Sequence, residues 1–538
     1  MMKPLDCFRG MSRRRMVRGG GLLAAAGFFP DVLKRADAAP EHALKVGPNI
    51  YESIGVRPVV NCRGTFTIIS GSQSLPEVKQ AMLEASKHYV NLDELMNAVS
   101  ARLAELTQAP WGIVTAGCAA ALTHATSACI AGADPEKMQR LPKLEGLKNQ
   151  VIMPKYSRNV YDHAVRTLGI DVVEVNTAEE LERAFNAKTA MVMVLSCPQA
   201  ERGPLSIPNV AQAAKAHNVP MIVDAAAEEL TIPNIHLQHG STMVAYSGGK
   251  CLRGPQAAGL LLGPKELLQA AWLNSAPHHA FGRALKVGKE EIMGMLAAVE
   301  MWTKRDHQAE WKTWESWNSY IAERVTKVPG VSTEIHQPED LSNHAPTLRI
   351  KWDGAAVGIT GREVEQALLE GNPRIVVGGA SGTRGGNMAS SLTIMPYMMM
   401  PEDHKIAADA LYAVLSKPPK MSAPAVPTGE MSNVAGQWNV HLEYVVGSAE
   451  HVLLLEQSGD KLMGTHNSDV LTGDLRGKVQ ANQVQFRSVH PIQGTAIAYD
   501  FTGTVNGDRM EGTVGLGEYG TAKWVAHRHK YSEGRQRG

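Results

Sequence analysis

Ala245-Tyr-Ser-Gly-Gly-Lys-Cys-Leu-Arg-Gly-Pro-Gln-Ala-Ala-Gly-Leu-Leu-Leu-Gly263 sets one lysine, Lys250, on a glycine turn between two apolar runs. A lysine held in this way is suited to covalent anchoring, because its amine meets an aldehyde at a fixed angle. Gly248 and Gly249 let the backbone crowd a flat ring, and Ser247 can hand its hydroxyl to a phosphate. Upstream, Met221-Ile-Val-Asp-Ala-Ala-Ala227 is an apolar strand that ends on an acid, Asp224. Two residues on, Ala226 is small enough for a ring to lie against the strand. Lys250 alone reads better as a surface lysine, and Asp224 alone as a helix N-cap. Their order along the chain (strand, acid, short helix, second strand, lysine) is what carries chemistry.

Outward from this stretch, Val151-Ile-Met-Pro154, Val172-Val-Glu-Val175 and Met191-Val-Met-Val-Leu195 are further short apolar runs, spaced by helical segments. Continuous apolar strands between helices predict an α/β fold with a mainly parallel sheet covered on both faces. Such sheets gather ligands at the carboxyl ends of their strands. Thr115-Ala-Gly-Cys-Ala-Ala120 ends one strand and opens a helix, whose free N–H groups and dipole suit a phosphate. Ser196-Cys-Pro-Gln199 ends another, placing Gln199 to reach a ring hydroxyl or a substrate. From Leu267 to Arg324 the pattern is helical, and residues 330–415 mix strands and helices as a small α+β domain does. Ser416-Lys-Pro-Pro-Lys-Met-Ser-Ala-Pro-Ala-Val-Pro-Thr428 is a linker by composition. Short strands follow, separated by Ser-Gly-Asp, Thr-Gly-Asp and Asn-Gly-Asp turns, which predicts an antiparallel meander closed as a barrel or folded as a sandwich. The expected divisions are 40–300 for the large domain with its N-terminal segment, 301–415 for the small domain, 416–430 for the linker and 431–530 for the β domain.

A chain of 538 residues is too long for one core, and 44% hydrophobic with 20% charged residues describes an ordinary globular protein. The net charge is +1, yet residues 1–39 hold eight basic and three acidic side chains, leaving the body mildly acidic. That balance argues against a grip on nucleic acid. Ser12-Arg-Arg-Arg15, a weakly apolar stretch to Phe29 and Ala36-Asp-Ala-Ala39 form a twin-arginine export signal over residues 1–39. Its apolar stretch is too short for stable membrane insertion. The expectation is delivery by the Tat export machinery to the periplasm or the exterior. Six cysteines without CxxC spacing support neither a disulfide framework nor a metal site.

The run Ser247-Gly-Gly-Lys-Cys-Leu-Arg-Gly-Pro-Gln-Ala-Ala-Gly259, with Phe281-Gly-Arg-Ala-Leu-Lys-Val-Gly-Lys-Glu290 downstream, resembles the selenocysteine synthase-like branch of fold-type I pyridoxal phosphate-dependent enzymes. That branch includes L-seryl-tRNA(Sec) selenium transferase and D-glucosaminate-6-phosphate ammonia-lyase. Asn61-Cys-Arg-Gly-Thr-Phe-Thr67, Tyr161-Asp-His-Ala-Val165 and Leu369-Glu-Gly-Asn-Pro373 extend the resemblance over residues 54–415, leaving out the signal and the β domain. It implies pyridoxal 5'-phosphate as cofactor, Lys250 as the Schiff-base lysine and Asp224 as the partner of the ring nitrogen. It also implies a phosphate site at Gly117, Cys118, Ala119 and Ser247. Similar sequences often carry a histidine where this chain has Ser157, leaving Tyr156 to stack on the ring.

The implied reaction is α,β-elimination and deamination of a β-hydroxy amino acid or amino sugar acid, with the freed lysine as base. Selenium transfer to tRNA is disfavoured by export and by the lack of a basic face. Aminotransfer or racemisation on the same scaffold, or a binding protein without catalysis, are the alternatives. Arg283, Lys286 and Arg374 are candidates for an anionic substrate group, against a reading as surface salt bridges. The resemblance further implies a homodimer or larger homo-oligomer.

Overall fold

The computed structural model describes residues 44–420 and 427–530. The expected export signal and the middle of the linker lie outside the described residues. The described residues fall in two compact units, those within Arg57–Ala423 in one and residues 44–56 with 427–530 in the other.

The Arg57–Ala423 unit is built on seven strands: β2 (Trp111–Thr115), β3 (Gln150–Pro154), β4 (Asp171–Val175), β5 (Thr189–Leu195), β6 (Met221–Asp224), β7 (Met243–Ser247) and β8 (Gly259–Gly263). Their order is β2-β8-β7-β6-β5-β3-β4, with β8 running antiparallel to both neighbours and the pairs from β7 to β4 parallel. The expected α/β fold with a mainly parallel sheet is therefore present. β5 to β8 are buried along nearly their whole length, which is why they read as unbroken apolar runs.

Helix α1 (Pro76–Ser86) and helix α2 (Leu92–Thr107) are separated where Asn91 takes over, its side chain accepting from the N–H groups of Asp93 and Glu94. Helix α3 (Gly117–Ala131) is buried almost all round. Its run of alanine, serine and threonine lets it lie close against β7 and β8. Helix α4 (Lys289–Trp302) crosses behind the lysine turn, and α5 (His307–Val325) leads into the smaller part of the unit.

That smaller part is an antiparallel sheet of β9 (Ser332–His336), β10 (Thr347–Asp353), β12 (Gly378–Ser381) and β13 (Ala389–Ile394), ordered β12-β13-β10-β9. Helices α6 (Gly361–Glu370) and α7 (Asp403–Ser416) share its core with α5. The N-terminal segment departs from expectation. Strand β1 (Val59–Asn61) pairs in parallel with β11 (Arg374–Val376), and Cys62 is fully buried in this smaller core. Residues 59–62 alternate too briefly to announce a partner, and only the register with residues 374–376 assigns them.

The second unit closes as a barrel, not a sandwich. Its eight strands are β14 (Gly436–Glu443), β15 (Ser448–Ser458), β16 (Lys461–Asn467), β17 (Thr472–Gln480), β18 (Gln483–Ile492), β19 (Thr495–Asn506), β20 (Arg509–Gly515) and β21 (Thr521–Arg528). Each pairs with the next, and β21 returns to β14. Burial alternates along the strands, and Trp438, Trp524, Phe486 and Phe501 fill the interior. Thr472-Gly-Asp474, expected as a turn, instead begins β17. Three buried histidines, His451, His466 and His490, sit inside the barrel toward the end where β16 and β18 finish.

Candidate active site

Lys250 stands where the chain leaves β7. Gly248 N–H donates to the Ala258 carbonyl (2.8 Å), Gly254 N–H to the Gly248 carbonyl (2.8 Å) and Arg253 N–H to the Lys250 carbonyl (2.9 Å). The turn is also held from outside, by Ser72 N–H on the Gly249 carbonyl (2.9 Å). The chain's own packing also requires both glycines. A Cβ on Gly248 would meet the Ala258 and Pro255 carbonyls and the Met295 sulfur, each at 2.8 Å, and one on Gly249 would meet Gln256 Cα at 2.7 Å. The glycines are demanded by the chain's own close packing around Lys250.

Asp224 is 2% exposed at the end of β6. One carboxylate oxygen accepts from Ala226 N–H (3.1 Å) and from the Cys118 thiol (3.5 Å). Burial raises the pKa of Asp224 above the usual carboxylate range, although the Ala226 N–H, the nearby Lys250 charge and the Cys118 thiol pull it down. Burial also raises the Cys118 thiol well above its ordinary value, with the charge of Asp224 adding to the effect. The side chain of Cys118 therefore serves Asp224. Ala226 links the two strand ends, its carbonyl accepting from Ser247 N–H (3.3 Å).

Helix α3 begins at Gly117 with φ +83° and has no side-chain cap. A Cβ there would meet nothing within 4 Å, so the space in front of the helix start is open. Behind it, Gly259 packs directly on the Gly117–Cys118 peptide. Ala119 is exposed beside the same opening, and Gln199 is exposed on the loop after β5.

The remaining candidates are more scattered. Tyr156 donates its hydroxyl to the Leu205 carbonyl (2.6 Å), and burial raises its pKa. Ser157 is fully buried, its oxygen accepting from Leu195 N–H (3.0 Å), so this position secures the end of β5. Arg374 is half-buried and donates through Nε to the Leu369 carbonyl (3.0 Å) at the end of α6. Arg283 and Lys286 are exposed on the segment between Leu273 and α4.

Sequence reasoning passed over two polar groups near these loops. Glu228 is 2% exposed and accepts from the Ser196 hydroxyl and from His236 Nε2 (2.5 Å). His236 also lines a cavity of about 440 Å³ together with Arg202, His239 and His344. Separately, the Tyr397 hydroxyl joins Thr65 Oγ1 (2.8 Å) to Asn343 Oδ1 (3.0 Å), while Asn343 N–H donates to the Ala227 carbonyl (2.8 Å). The Asn61–Thr67 loop is thereby tied to the loop after Asp224. The one signal for Glu228 was an acid in an alanine run directly after an apolar strand.

No family model matches the chain. It is 30% identical over 334 residues to D-glucosaminate-6-phosphate ammonia lyase of Salmonella typhimurium, spanning 60% of this chain and 88% of that protein. It is 29% identical over 337 residues to 5'-C-glycyluridine monooxygenase-decarboxylase of a Streptomyces species, spanning 60% and 83%. The solved structure of D-glucosaminate-6-phosphate ammonia-lyase superposes with a TM-score of 0.60 at 26% identity, covering 69% of this chain and 99% of that one. With the sheet and lysine turn described above, these likenesses define a fold-type I pyridoxal phosphate-dependent enzyme. The chain belongs to the D-glucosaminate-6-phosphate ammonia-lyase family, and its class is that of a pyridoxal phosphate-dependent lyase.

Proposed function

We propose that the chain eliminates and deaminates an amino sugar acid or a related β-hydroxy amino acid, with pyridoxal phosphate held between Lys250, Asp224 and the start of α3. The observation that carries this reading is a buried carboxylate without a full counter-charge, close to a lysine and beside an uncapped helix start. A carboxylate in that setting is stabilised by a cation, and a protonated ring nitrogen supplies one. The open space before Gly117 and the free N–H groups behind it suit a phosphate dianion.

When bound, the cofactor serves as an electron sink for a carbanion beside the substrate amino group. Toward it, Lys250 would supply the attaching amine and then the base that takes the proton from the substrate α-carbon. Asp224 would keep the ring nitrogen protonated. Cys118 would donate its thiol proton to Asp224, and Ser247 with the N–H groups of α3 would orient the phosphate. The substrate's β-hydroxyl leaves as water, and hydrolysis returns that water as the 2-oxo acid and ammonia form, so the net loss is ammonia.

The test is the visible absorption of the purified protein beside Lys250→Ala, followed by assay of 2-oxo acid and ammonia with D-glucosaminate 6-phosphate and smaller β-hydroxy amino acids. A cofactor band lost in the variant, with ammonia release in the wild type, supports the reading; a wild type that stays colourless with added pyridoxal phosphate overturns it. A second reading, oxidative decarboxylation, is favoured by the similarity to the monooxygenase-decarboxylase. Oxygen uptake and carbon dioxide release separate it from elimination.

Twin-arginine export belongs to the same proposal, supported by the arginines at 13–15 and the small residues at 36–39. Cell fractionation of the protein and of an Arg13→Lys/Arg14→Lys variant checks it, retention of the variant in the cytoplasm being the expected result. A homo-oligomer is supported by Phe66 and Ile68, 50% and 86% exposed in the loop that touches the lysine turn. Light scattering on the holoenzyme measures it.

A further inference from the structure

Glu228 is an unusual occupant for its position. It is 2% exposed, on the loop that continues from Asp224, where an apolar side chain would pack without needing partners. Its carboxylate instead takes two donors from opposite sides, the Ser196 hydroxyl and His236 Nε2. A carboxylate accepts with both oxygens and donates with neither, so no neutral isostere serves both partners equally.

Its main chain makes further links. The Glu228 carbonyl accepts from the Cys251 thiol (2.8 Å), and its N–H donates to the Ala225 carbonyl (3.0 Å). Glu228 also forms a bridge to Ser342. Ser196 in turn donates its N–H to the Asp224 carbonyl (2.9 Å). One residue is thus bonded to the segment carrying Asp224, to the residue that follows Lys250, and to the loop after β5.

We propose that Glu228 is a positioning residue for the Lys250–Asp224 pair, fixing their spacing through Ser196, His236 and Cys251. The inference rests on the pyridoxal phosphate reading given above. Its charge also reaches Asp224, on which it acts in the direction opposite to Lys250. Geometry and charge make separable contributions, because a shorter acid keeps the charge and loses the reach.

The experiment uses the full-length holoenzyme and two readouts that need no substrate: the dissociation constant for pyridoxal phosphate, and the pH midpoint of the cofactor's visible band. Glu228→Gln is expected to raise the dissociation constant about tenfold and to move the midpoint down by about half a unit, since a negative charge near a protonated cofactor is removed. Glu228→Asp is expected to restore the midpoint while leaving the dissociation constant raised. Glu182→Gln, an exposed partner of His217 on a remote helix, is the control and should match the wild type.

A folded Glu228→Gln protein with wild-type values for both readouts overturns the inference. Where Glu228→Gln does not fold, Ser196→Ala decides, since it removes one donor only; a wild-type dissociation constant there overturns the inference as well. A wild type that takes up no pyridoxal phosphate fails in a different and recognisable way, and overturns the functional reading together with this one.

Discussion

Lowering the pH from 7.5 to 5 should loosen the barrel while leaving the Lys250 region largely intact. His466 is fully buried, with Nε2 against His451 Nδ1 (2.8 Å) and Nδ1 against Ser488 Oγ (2.8 Å). Burial, reinforced by the charges of His451 and His490, lowers its pKa from 6.5 to about 3. Burial also lowers His451 and His490, and nearby Asp469 and Glu450 only partly oppose this at His451. A histidine depressed in the folded state contributes stability that is present above the unfolded pKa and is lost as pH falls toward the folded one. Each pH unit in that window is worth about 1.4 kcal/mol, so His466 alone removes about 2 kcal/mol by pH 5. That corresponds to about a 30-fold rise in the opening equilibrium of the barrel amides. Hydrogen exchange read by mass spectrometry on peptides from β14 to β21, corrected for intrinsic rates, measures this. His466→Gln should lose about 2 kcal/mol less over the same pH interval. Barrel protection that is equal at pH 7.5 and pH 5 in the wild type would refute the reasoning.

Asp224→Asn should raise the melting temperature of the cofactor-free protein, because a buried carboxylate with a raised pKa is replaced by a neutral amide; the same variant should bind pyridoxal phosphate more weakly by titration. Gly117→Ala meets open space, so its cost is the left-handed backbone alone, about 1 kcal/mol by thermal unfolding, with weaker cofactor binding beside it. Asp162 is fully buried between Arg158 (2.6 Å) and Arg166 (2.7 Å), and Asp162→Ala should destabilise by about 3–5 kcal/mol in denaturant titrations. Trp524→Ala, emptying the barrel centre beside Phe501, should cost about 3–5 kcal/mol, read on barrel peptides by hydrogen exchange.

The parallel sheet was legible because β3, β5 and β6 are buried on both faces and carry no polar alternation. The strand β17 was not. Its inward positions include Gly473 and Gly477, where an added Cβ would strike His490 and Phe486 of the neighbouring strand. Large residues on β18 thus remove the apolar alternation from β17, and the segment then reads as a turn. Lys250 and Asp224 could be found because their residue types and order are themselves the signal. Glu228 could not, since its meaning lies in Ser196, His236 and Cys251, three residues that only the fold brings to it. The packing that Gly248 and Gly249 answer to was hidden for a related reason: a glycine announces close approach, and the sequence does not say what approaches.

The barrel seals itself by a single non-consecutive pairing, Gly436–Glu443 with Thr521–Arg528. Every other strand pair joins neighbours in the chain, so these registers can form locally and quickly. Until the last strand docks, the growing sheet offers two bare edges of unpaired N–H and C=O groups to any passing strand. A chain cut before Thr521 would keep those edges for good, and its fate would be association into aggregates through them.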